Sequence, residues 1–207
     1  MSKGKYKDFF IFVICLSLCA FVFLTGCRKN GQTETSDILN FSDQTTEAAQ
    51  LVAGANEDLN KIKVLYKQNE DKREDLKAAL KDNDGEKVKK VADDLVYIIN
   101  DGMALGESAI GKIEKAQEMN INADFNEYLG LKVQSLRKQM DAFENYKQAA
   151  RFLRDGYTPK DDKQRANVKL EFAKRDENFQ KTMEVARDYG KQANELAKES
   201  VKKDAQK

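Results

Sequence analysis

A chain of 207 residues suffices for one ordinary domain plus a leader, and its single proline, Pro159, and 34% charged residues are the palette of long helices. The net charge is +1, and it becomes −1 once the first 26 residues, which carry +2, are set aside; that leaves no basic excess to neutralise nucleic-acid phosphates. The absence of His removes the usual base of a hydrolytic triad and the commonest zinc ligand, while 41% apolar residues exclude a disordered polyanion.

Lys3, Lys5 and Lys7 form a positive start, followed at 9–24 by the apolar stretch FFIFVICLSLCAFVFL. That run is shorter than the roughly 20 residues a spanning helix needs, so it reads as a signal peptide. An uncleaved anchor, or an ordinary cleaved leader with an incidental cysteine, are the competing readings. The run stops at Leu24-Thr25-Gly26-Cys27, which resembles the lipobox of bacterial lipoproteins: an aliphatic residue, two small ones and an obligatory cysteine. The resemblance covers only the leader. It implies a diacylglycerol thioether on Cys27, cleavage between Gly26 and Cys27, and an N-acyl chain such as palmitate on the freed amine. Leu24, Thr25 and Gly26 would be what the signal peptidase recognises. Two or three acyl chains exceed the threshold for stable anchoring. Cys15 and Cys19 lie in the apolar run and leave with it, so a mature chain has one cysteine and no disulfide framework. The expected location is the extracytoplasmic face of the cell membrane, or the outer membrane in a host that has one. Residues 27–41 (CRKNGQTETSDILNF) read as the lipidated cysteine and a flexible tether of about 20 Å.

From residue 42 to 207 the pattern is helical. The first predicted helix, 43–81, carries Ala48, Val52, Ala55, Leu59, Ile62, Tyr66, Leu76 and Leu80 at alternating spacings of three and four. Asn69 and Arg73 interrupt this stripe, which predicts weaker packing or an Arg73 head in water. Gly85, in Asp82-Asn83-Asp84-Gly85, is expected to take the left-handed conformation that ends the helix. The second helix, 86–119, presents Val88, Val91, Leu95, Ile98, Gly102, Leu105, Ala109, Ile113 and Ala116. The third, 123–154, presents Phe125, Leu129, Val133, Leu136, Met140, Phe143, Ala150 and Leu153. Thr158 and Pro159 suit the N-cap and first turn of a fourth helix, 160–202, lined by Val168, Phe172, Phe179, Met183, Ala186, Gly190, Ala193 and Ala197.

Short loops make neighbouring helices antiparallel, so the expected fold is all-α: an elongated antiparallel bundle of four long helices after a signal peptide and flexible tether. Three well-packed helices with the first partly loose near the tether, and a long two-stranded coiled-coil dimer, are the alternative architectures. A lipobox followed by a Lys/Glu-rich helical domain is similar, in architecture only, to cell-wall-binding lipoproteins of Gram-positive bacteria, and no residue role carries over from them.

The sequence offers no catalytic residue, no metal ligand set and no cofactor other than the covalent lipid. The carboxylate pairs Asp71/Asp75, Asp93/Asp94 and Glu114/Glu118 read as solvated helix surface. Gly102, Gly106 and Gly111 are costly inside a helix, about 1 kcal/mol each; the readings are a close helix contact at Gly102 and Gly106 with Gly190 as a counterpart, a kink or hinge in the bundle, or a groove opened by the missing side chains. Most of the six tyrosines of the helical region are expected at the edge of the core with their hydroxyls in water. The partners implied are the membrane through the lipid anchor and an envelope protein or cell-wall polymer, with no nucleic acid. The leading reading is thus a non-enzymatic interaction or structural module of the cell envelope. A small-ligand or ion carrier using the bundle interior, and a carboxylate-based envelope hydrolase, are the alternatives.

Overall fold

The computed structural model describes residues 46–158 and 160–204, so the apolar leader, Leu24-Thr25-Gly26-Cys27 and the tether lie outside the described residues. Four helices follow in order: α1 (Thr46–Asp82), α2 (Gly85–Gln117), α3 (Ala123–Gly156) and α4 (Asp162–Asp204). Helices of 33 to 43 residues run about 50 to 65 Å, and they fold back on one another as an antiparallel bundle. None of the described helices is long and apolar enough to cross a membrane.

The turns are built differently from their sequence expectation. Asn83, not Gly85, takes the left-handed backbone, with φ at 55°, and Gly85 is already the first residue of α2. An Asn tolerates that region because of its short polar side chain. The Asp84 N–H donates to Ala79 O at 3.0 Å, closing α1, and the Asp84 carboxylate accepts from Lys87 N at 3.0 Å, opening α2. At the next turn Asn122 caps α3 by accepting from Phe125 N at 2.7 Å. The start of α4 lies later than Thr158-Pro159 suggests. Asp161 is the cap, its Oδ1 accepting from both Lys163 N and Gln164 N at 3.0 Å. A carboxylate there meets two orphan amides and the positive helix pole, which a threonine hydroxyl serves less well.

The core falls into two clusters. One gathers Leu76, Val88, Leu95, Ile99, Tyr146, Leu153, Tyr157 and Phe179 toward the end carrying the 83–84 and 157–161 turns. The other gathers Val52, Ile113, Phe125, Tyr128, Leu129 and Ala193 toward the end where α1 begins and α4 finishes. Met140 packs against both. The α2 face is broader than a single stripe and shifts by one position midway: Ala92, Val96, Ile99, Gly106 and Ile110 are buried, while Ile98, Gly102 and Leu105 are half-buried. A helix flanked by α1 on one side and α3 on the other must bury both flanks.

Three seams, α1/α2, α2/α3 and α3/α4, bring the helix backbones within 8 Å along their length, whereas α1 and α4 scarcely do so. Large side chains span that fourth seam instead.

Candidate functional site

The two glycines expected at a helix contact, Gly102 and Gly106, behave differently. A β-carbon at Gly106 would lie 2.3 Å from Met140 Sδ, so this is the close contact between α2 and α3. Nothing lies within 4 Å of a β-carbon at Gly102. Gly190 is the counterpart of neither; it faces Ser135 of α3, whose hydroxyl donates to Ala186 O at 2.8 Å. Of the three α2 glycines, Gly111 borders a surface depression, and Gly102 and Gly106 do not. The depression is shallow, about 670 Å³, and lies beside Gly111, Glu114, Arg137, Met140 and Tyr189. Its floor is partly apolar, and its rims carry both signs of charge, Glu114 of α2 being ion-paired with Arg137 of α3.

The polar residues that interrupt the α1 stripe are buried, contrary to the sequence expectation. Arg73 is 8% exposed and Asn69 only 4%. The Arg73 guanidinium lies 4.8 Å from the Tyr146 ring centroid and 5.2 Å from that of Phe179, and it donates to Asp176 Oδ1 at 3.2 Å. Stacking on two aromatic faces and one carboxylate repays the loss of water around its charge. Burial pushes the Tyr146 phenol up to about 12, against the pull of the Arg73 cation. Burial also raises the Asp176 carboxyl above the usual range, with Arg73 and Lys77 opposing it. Asn69 Oδ1 is buried without a hydrogen-bond partner. Sequence periodicity missed this cluster because its parts come from α1, α3 and α4, and only a polar residue at a core register hints at it.

A second buried polar group lies between α1 and α2. Asp58 accepts from Ser108 Oγ at 2.7 Å and Lys112 Nζ at 2.6 Å. Burial alone would raise its carboxyl, but those two bonds and the lysine charge outweigh it and hold it below the usual range.

The carboxylate pairs do not converge into a site. Asp93 pairs with Arg154 and Asp94 with Lys72, while Asp71, Asp75 and Glu118 are exposed. Among the described residues no group of three possible metal-ligating side chains gathers. The tyrosines correct their expectation: Tyr128, Tyr146 and Tyr157 are fully buried, and only Tyr97 is largely exposed. The Tyr157 hydroxyl is held by Asn83 Oδ1 at 3.1 Å, which removes the need for water. Lys87, Lys89 and Lys90 stand exposed on α2.

No protein family, curated protein or solved structure gives a significant match to this chain.

Proposed function

We propose that the chain is a lipid-anchored protein of the extracytoplasmic membrane face, acting as a non-enzymatic interaction or structural module of the cell envelope. The observation that carries this reading is Leu24-Thr25-Gly26-Cys27 directly after a basic start and a short apolar run. In this reading Cys27 holds the diacylglycerol and N-acyl lipid, and residues 28–41 lift the helical bundle off the headgroups. The bundle offers long charged helix faces, and the carboxylate pairs considered for acid–base work are tied to Lys and Arg or dispersed along the surface. The carrier reading has the depression at Gly111 as its candidate volume, and that depression is open to the surface.

The first test is fatty-acid labelling of the full chain in a bacterial host, beside Cys27→Ser. Label on the wild type, lost in C27S, with a mature N-terminus at Cys27 by mass spectrometry, is the expected outcome. An unlabelled wild-type chain would end the lipoprotein reading. The second is retention of residues 42–207, shown folded by circular dichroism, on envelope extract and purified cell wall at physiological salt. Capture of a specific protein or polymer is expected, and no retention would reject the interaction role.

A further inference from the structure

We propose that the α1/α4 seam opens locally in the half of the bundle carrying the 83–84 and 157–161 turns, and that the Arg73–Asp176 pair is its latch. The inference is independent of the lipid anchor. Close backbone approach joins α1 to α2, α2 to α3 and α3 to α4, but not α1 to α4. The bundle is therefore two helical hairpins, α1–α2 and α3–α4, hinged along α2/α3 and meeting at their free edges through side chains. At the turn end, Lys169 Nζ donates to Leu80 O at 2.8 Å and to Asn83 Oδ1 at 2.9 Å, clasping α4 to the end of α1. Further along, Arg73 reaches across to Asp176.

This seam also carries a polar cost: a charge pair across it and, beside that pair, an amide oxygen with no partner. A charge pair taken partly out of water contributes little net stability against an apolar pair of the same size, yet losing one partner is costly because the other charge stays behind. Asn69 Oδ1, one turn from Arg73, adds a buried oxygen with no partner. Polar interruptions of this kind lower the free energy of partial opening below that of global unfolding. What opening uncovers is aromatic: Tyr146, Phe172 and Phe179 pack together behind the latch, with ring centroids 5.2 to 6.1 Å apart.

Two native side chains report on this directly. Tyr146, 2% exposed, lies behind the latch, and Tyr128, 1% exposed, lies in the other core cluster. Slow nitration of the full chain in mild detergent, read residue by residue by mass spectrometry, measures how often each becomes accessible. Tyr146 is expected to react about ten-fold or more faster than Tyr128. Arg73→Met with Asp176→Leu should bring the two rates together by replacing the latch with an apolar contact. Asp176→Asn alone, which leaves the arginine uncompensated, should widen the gap, and it decides the matter if the double variant does not fold. Equal protection of the two tyrosines in the wild type would overturn the opening. A ratio that D176N leaves unchanged or narrows would overturn the latch.

Discussion

At Gly102 and Gly106 the same substitution meets opposite surroundings. A methyl at Gly102 has open space, so Gly102→Ala is expected to raise stability by about 0.5–1 kcal/mol through helix propensity alone. A methyl at Gly106 must displace the Met140 thioether, which packs against both core clusters, so Gly106→Ala should gain less or lose. Urea unfolding of the two variants separates them, and equal gains would contradict the contact. The buried Asp58 and the half-buried Asp176 differ in the same informative way. The Asp58 carboxyl sits below its unfolded value, so its contribution is present above the ordinary carboxylate range and is lost as pH falls through the lowered value. The Asp176 carboxyl sits above its unfolded value, so its contribution is fully present below the ordinary range and is lost as pH rises through the raised value. Unfolding free energies measured from about pH 3 to pH 7 should therefore diverge. The advantage of wild type over Asp58→Asn shrinks with acid, and its balance against Asp176→Asn shifts in favour of wild type. Slopes of the same sign would refute one of the two assignments.

Helix ends show how far a local signal reaches. Ser, Thr, Asp and Asn are all good caps, so a sequence holding Thr158, Asp161 and Asp162 in succession offers several starts for α4. The structure selects Asp161, whose carboxylate satisfies two amides at once. Asp161→Ala should cost about 1 kcal/mol and Thr158→Ala only a few tenths, measured by thermal unfolding; the reverse order would place the start of α4 where sequence alone put it. The same ambiguity explains the α1/α2 turn. Gly85 is the cheapest residue for a left-handed backbone, but Asn83 also accepts hydrogen bonds from Tyr157 and Lys169, and those distant partners outweigh the local preference. Existence and order of all four helices were legible because apolar residues recur at three and four; the choice of terminal residue was not, because it depends on what another turn brings alongside.

For the molecule as a whole, the antiparallel bundle was readable from long helices and short turns. What periodicity cannot supply is which seam closes tightly. Arg73 registers in the sequence as a break in an apolar stripe, and its role rests on Tyr146 and Asp176, more than seventy residues away. Which of the three α2 glycines borders a depression was not legible for a related reason: glycines mark where side chains are absent, but α3 decides which gap it fills, and Met140 fills the one at Gly106 while the one beside Gly111 stays open.

An even number of antiparallel helices has one more effect. The start of α1 and the finish of α4 come to the same end of the bundle: Ala48 shares a core cluster with Ala116 and Phe125, and Lys203 lies 3.6 Å from Asp124 at the head of α3. The helical unit is therefore nearly a closed ring in space, cut at one place only. Joining residue 204 to residue 46 by a short linker and cutting instead in the 118–122 turn would permute the chain circularly while leaving both core clusters and the Arg73–Asp176 contact between the same residues. Such a permuted unit would exchange which hairpin is covalently continuous, and the seam now bridged only by side chains would become one joined by a peptide linker.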